Sequence, residues 1–208
     1  MTSLILKGGW VMAPIIAGSV VALTLVLERL WFFWTIRLDA PSFGESVFRL
    51  VKAKDFAGAA RLCERMRGPL AEIFRVGLEH AGEPVMEIDR VMEREGNRQI
   101  QEAEKNLNFL LVIIGIEPLL GFLGTILGLI RAFMAWETLG ASVTVSALAA
   151  GIYQAMITTA AGLIVAIPYF VVYHAFVGRV NSLSQDLTHF GGEFVSVLAK
   201  TGRAGASS

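Results

Sequence analysis

The chain has 208 residues, of which 54% are apolar and only 17% charged, and its 18 basic and 18 acidic side chains leave a net charge of zero. Soluble domains carry about a quarter charged residues, so with a mean hydropathy of +0.60 an ordinary water-soluble globule is excluded, and the charge balance argues against nucleic acid as a partner. A single cysteine, Cys63, excludes an intrachain disulfide and any cysteine-based metal site, and it reads as a small apolar residue in a reducing compartment.

Three stretches are long and apolar enough to cross a hydrocarbon core of about 30 Å, which takes roughly 20 helical residues. The first runs from about Val11 to Phe33. Lys7 is a lone charge before it, Pro14 interrupts its start, and no small-residue cleavage site follows, so it is expected to stay in the mature protein as an anchor. Glu28 and Arg29 mark its inner interface, and Trp31 and Trp34 fit interfacial anchors.

Residues 36–106 hold twelve of the eighteen Lys and Arg residues and thirteen of the eighteen acids. Phe56, Ala59, Ala60, Leu62 and Cys63, then Ile73, Val76, Gly77 and Leu78, then the run from Ile88 to Glu95, show helical rather than strand spacing, so this is a helical domain. Pro41-Ser-Phe, Gly68-Pro69 and Gly82-Glu-Pro84 are the expected breaks between its helices.

The second apolar stretch runs from about Phe109 to Met134 and the third from about Val145 to Val177. The loop between them, Ala135 to Thr144, carries Trp136 but no Lys or Arg, whereas Arg37, Lys105, Arg179, Lys200 and Arg203 flank the opposite side. Positively charged flanks stay in the cytoplasm. The expected plan is therefore all-α: a periplasmic N-terminus (1–10), a transmembrane helix (11–35), a cytoplasmic helical domain (36–106), a second span (107–134), a periplasmic loop (135–144), a third span (145–177) and a cytoplasmic C-terminal helix and tail (178–208), unstructured from Gly202.

The second and third spans carry the informative side chains. Gly121, Gly124 and Gly128 place small residues on the second, with Gly124 and Gly128 as a small-xxx-small pair, and Gly151, Ala155, Thr159, Gly162 and Ala166 form one stripe on the third. With Thr125, Gln154 and Thr158 beside them, these stripes suit either close helix packing or the border of a narrow polar lumen, and spacing alone leaves both open. Glu117 lies about a third of the way into the second span and Arg131 near its outer end. Arg131 can snorkel to the outer surface or pair with an acid on another subunit. Glu117 can serve as a helix N-terminal acid before Pro118, an intersubunit ion-pair partner or a proton relay. His80, His174 and His189 are far apart, and no nucleophile elbow, phosphate loop or carboxylate pair points to an enzyme, a metal site or a cofactor.

Leu119-Leu-Gly-Phe-Leu-Gly-Thr-Ile-Leu-Gly128 followed by Ala132-Phe133, and Gly151-Ile-Tyr-Gln-Ala-Met-Ile-Thr-Thr-Ala-Ala-Gly-Leu-Ile-Val-Ala-Ile-Pro168, resemble the paired signature of the MotA/TolQ/ExbB proton-channel family. Three spans rather than four bring the chain closer to the ExbB/TolQ branch. The resemblance implies an inner-membrane homopentamer around two copies of a single-span ExbD/TolR-like partner whose membrane Asp carries the proton, driving a TonB-like or other envelope effector. It also implies that Thr125 and Thr159 line the pore, and Gln154 and Thr158 are expected to line it with them. The position of Gln154 is Glu in some ExbB proteins, and Gln cannot titrate, so the proton carrier falls to the partner. A passive, non-conducting scaffold for an envelope complex is the competing reading.

Overall fold

The computed structural model describes residues 7–36, 40–66, 68–142 and 144–206. Arg37 of the flanking cations lies outside them, as does the side chain of Arg203. Among the described residues the structure is helical without strands: α1 (Met12–Thr35), α2 (Ala40–Lys52), α3 (Phe56–Arg65), α4 (Pro69–Glu79), α5 (Val85–Glu104), α6 (Leu107–Leu139), a 3-10 turn (Gly140–Ser142) and α7 (Val145–Ala206). Three helices, α1, α6 and α7, are long and apolar enough to cross a membrane.

Two compact units share the chain, one formed by Met1–Arg29 with Asn106–Phe176 and the other by Leu30–Lys105 with Val177–Ser208. The first is a three-helix bundle. Val11, Met12 and Ile15 at the start of α1 pack on Leu120 and Leu127 of α6 and on Ile157, Ala161 and Val165 of α7. The outward positions are large and apolar, with Val20, Leu119 and Ile164 60%, 66% and 71% exposed. Such a surface would be an aggregation liability in water and is at home in lipid. Pro14 sits in the first turn of α1, where the missing N–H is harmless, while Pro118 and Pro168 lie inside α6 and α7.

The second unit buries the apolar faces of α2 to α5 against the C-terminal part of α7. Phe74 of α4 is the centre of its core, fully buried, with the ring of Phe194 stacked at 4.6 Å and those of Phe48 and Phe43 at 5.7 and 5.9 Å. Ala59 and Cys63 of α3 and Ile88 and Met92 of α5, each pair at a spacing of four, complete one wall. Burial pushes the Cys63 thiol up to about 12, with Glu72 adding to the effect. On α5, hydrogen bonds from Arg98 to Glu95 at 2.8 and 2.6 Å hold the Glu95 carboxyl below the usual range.

The breaks at 68–69 and 82–84 separate α4 from α3 and α5 from α4. Pro41 instead lies in the first turn of α2, the one part of a helix that tolerates it. A turn that composition does not mark falls at 53–55, where Lys54 takes a positive φ of 61° and Asp55 caps α3 by accepting the Gly58 N–H at 2.8 Å. The loop expected at 135–144 is shorter, because α6 continues through Ala135 to Leu139 and stops only at Gly140, whose φ of 51° ends the helix. The third span and C-terminal helix are one helix, and it continues to Ala206 through residues expected to be unstructured. Extending an existing helix adds one bond per residue without a new nucleus.

Candidate functional site

Helices α6 and α7 meet along a seam in which backbone touches backbone. A Cβ on Gly128 would stand 2.6 Å from the carbonyl oxygen of Gly151, one on Gly121 2.9 Å from that of Thr158, and one on Gly162 2.5 Å from that of Glu117. A Cβ on Gly124 would overlap the Thr158 side chain. The structure thus places Gly121, Gly124, Gly128, Gly151, Ala155 and Gly162 in one contact inside a single chain, where only Gly and Ala let the axes come this close.

The close approach brings two hydroxyls together at the edge of the seam. Thr125 of α6 and Thr159 of α7 hydrogen-bond to each other. Thr159 also donates to the Gly121 carbonyl at 3.1 Å, and the Thr125 hydroxyl lies 3.3 Å from the carbonyls of Gly121 and Ala155. Each threonine is two residues from a residue that packs on α1, Leu127 and Ala161 respectively. At about 100° per residue the pair therefore lies on nearly the opposite side of its helices from α1. Both are half-buried, flanked by exposed Phe122 and Phe133 on α6 and Ile152 and Met156 on α7.

The other polar residues go elsewhere. Thr158 is fully buried and its hydroxyl bonds back to the carbonyls of Gln154 and Ala155 at 3.1 and 3.0 Å. Gln154 is 5% exposed and accepts from Arg131 Nη1 at 2.6 Å through Oε1, while its Nε2 has no partner among the described residues. Gly9 makes room for that amide: at φ 73° it passes so near that a Cβ there would lie 2.6 Å from Gln154 Nε2. Glu117 is 1% exposed, its carboxyl pressed against Gly18 of α1, and its Oε2 has no hydrogen-bond partner among the described residues. Tyr169 ties α7 to α1 by donating to the Ser19 carbonyl at 3.1 Å.

The candidate residues thus fall into two sets: Thr125 with Thr159 on the face away from α1, and Glu117, Thr158 and Gln154 on the inward side. Arg131 bonds inside its own chain, to a residue 23 positions away, rather than standing free. Sequence reasoning missed Gly18, Ser19 and Tyr169; a glycine within the apolar run of α1 was the only local signal. Among the described residues no group of three His, Cys, Asp or Glu side chains is placed to hold a metal ion.

The family model described as the MotA/TolQ/ExbB proton channel family matches residues 65–189, which include every polar residue of both sets. The chain belongs to the MotA/TolQ/ExbB proton channel family. It is 34% identical over 201 residues to the biopolymer transport protein ExbB-like 1 of Synechocystis sp., covering 89% of this chain and 72% of that one. A second ExbB-like protein of the same organism, ExbB-like 3, is 30% identical over 82% of each chain. The Tol-Pal system protein TolQ of Haemophilus influenzae is 38% identical over 110 residues, covering 52% of this chain and 47% of TolQ. These relatives put the chain in the ExbB/TolQ branch, as a multi-pass inner-membrane protein and a proton-channel-family subunit of an envelope energy-transducing complex.

Proposed function

We propose that this chain is the proton-conducting stator subunit of an inner-membrane motor, with its N-terminus in the periplasm and its C-terminus in the cytoplasm. Several copies, five by analogy with the family, surround two copies of a single-span ExbD/TolR-like partner. The partner's membrane Asp carries the proton, and its movement drives a TonB-like or other effector in the envelope. The observation that carries this reading is the Thr125–Thr159 pair, two hydroxyls held at the one edge of the seam that faces away from α1. Polar side chains in hydrocarbon face a bundle interior or a wet cavity, and copies arranged with these edges inward would line a lumen with hydroxyls. On the same ground Gln154 and Thr158 act within the subunit: Gln154 anchors Arg131 and the turn at Gly9, and Thr158 fills the seam beside Gly124.

The test is to co-express the chain with its single-span partner, reconstitute the complex in liposomes and record proton flux under an imposed potential. Flux should vanish when the partner's Asp is changed to Asn and fall sharply in Thr159→Val, which removes a hydroxyl at nearly constant volume. An assembled complex that passes no protons, alone or with its effector, would overturn conduction in favour of a scaffold.

A further inference from the structure

Among the described residues Glu117 is the one acid buried inside the three-helix bundle, and the Thr125–Thr159 pair does not use it. Its carboxyl is 1% exposed, Oε2 has no partner, and the carboxyl lies so close to Gly18 that any larger residue there would collide with it. Its depth follows from helix rise. Eleven residues of α6 separate it from Asn106, whose side chain donates to Glu28 at 3.3 Å, and fourteen separate it from Arg131. At 1.5 Å per residue these are about 16 and 21 Å, which puts Glu117 well inside the span, about a third of the way along α6.

Among the described residues no charge compensates it. On α1 the nearest ionisable groups, Glu28 and Arg29, pair with each other three turns away. On α7 the Tyr169 hydroxyl is committed to Ser19, and on α6 Arg131 is committed to Gln154. Ile113 lies beside Gly18 at the same level, and the backbone of Glu117 packs on Gly162. A carboxylate without counter-charge or water at this depth is disfavoured, whereas a carboxylic acid is a neutral group with one proton to exchange.

We propose that Glu117 is a proton-binding site inside each subunit, a carboxylic acid closed over by Gly18 of α1 and separate from the threonine pair. Loss of its proton places an uncompensated charge where α1 leaves no room for water, so proton release requires α1 to shift away from α6. The site therefore links proton occupancy to the seating of α1. It rests on the membrane placement of the bundle and not on conduction by the chain.

Two measurements on the intact complex test it. Membranes holding the complex are treated with dicyclohexylcarbodiimide and the product is mapped by mass spectrometry. The carboxyl proton passes to one carbodiimide nitrogen as the carboxyl oxygen bonds the central carbon, and the acyl group then migrates to nitrogen as a stable adduct with nothing lost. Label is expected at Glu117, absent in Glu117→Gln, and falling about tenfold per pH unit once the group titrates. Infrared difference spectra of wild type against Glu117→Gln should show a protonated-carboxyl C=O band in the wild type, whether or not the reagent reaches the site. Absence of both label and band, or loss of carboxylate bands in the variant instead, overturns the proposal. Labelling suppressed by sodium at fixed pH overturns it in favour of a metal-cation site. Should Glu117→Gln not assemble, the position and pH dependence of the wild-type label decide alone. Neither measurement needs flux, so a silent liposome assay leaves this result standing.

Discussion

Gly128→Ala adds one methyl group where the seam brings backbone against backbone. The new Cβ would lie 2.6 Å from the Gly151 carbonyl oxygen and 2.8 Å from the Ala155 nitrogen, both backbone atoms that no rotamer can move. Reaching an ordinary contact of about 3.5 Å means widening the crossing by about 0.9 Å. Tilting cannot relieve it, because Gly121 and Gly162 meet backbone just as closely further along. Widening stretches the Thr159 to Gly121 bond from 3.1 Å to about 4 Å, past hydrogen-bonding range. The 3.3 Å contact of Thr125 with the Ala155 carbonyl is lost as well. Overpacking costs about 1–3 kcal/mol and two interhelical bonds in a membrane about 0.6 kcal/mol each, so roughly 2–4 kcal/mol of stability should be lost. Followed by tryptophan fluorescence in detergent, the melting temperature should fall by roughly 5–15 °C. Gly178→Ala, where a methyl meets open space within the chain, is the matched control. A Gly128→Ala complex melting with the wild type would refute the seam.

The second unit makes its own predictions. Phe74→Ala empties the centre of the aromatic cluster and should cost about 3–5 kcal/mol, read as protease sensitivity of residues 40–104 with the membrane bundle intact. Cys63, with its thiol pushed up to about 12, should resist maleimide in the folded protein at neutral pH and react once denaturant opens the core. Glu95 has a folded pKa below its ordinary value, so its stabilisation is complete above the usual glutamate range of about 4.3 and is lost as pH falls through the depressed folded value. Glu95→Gln should therefore flatten the acid limb of a pH–stability curve and leave the neutral limb parallel to wild type.

What could be read in the sequence was what local pattern encodes. A run of twenty apolar residues is a sufficient sign of a span, and a spacing of four at Ala59 and Cys63 or Ile88 and Met92 is a sufficient sign of a buried face. The turn at Lys54 escaped notice because a non-glycine residue takes the left-handed conformation there, without Gly or Pro to mark it. Helical spacing identified which of the small and polar residues share a face, yet it carries no information on what that face meets. Hence Arg131 with Gln154, 23 residues apart, and Glu117 with Gly18, 99 residues apart, became visible only when the three helices were assembled.

Packing and lumen had stood as alternatives for the same stripe, and under the proposed function they are successive. A threonine hydroxyl reaches little further than its own Cβ, so Thr125 and Thr159 can bond across two helices only if glycines on both sides of the seam remove the atoms between them. The glycines are therefore a condition for the hydroxyl pair. Two substitutions separate the roles. Thr159→Val should lower flux at a stability cost of only about 1 kcal/mol, two interhelical bonds at about 0.6 kcal/mol each, because the seam stays closed. Gly128→Ala should lower both together, since opening the seam strips the pair of its bonds to the Gly121 and Ala155 carbonyls even though neither threonine has been touched.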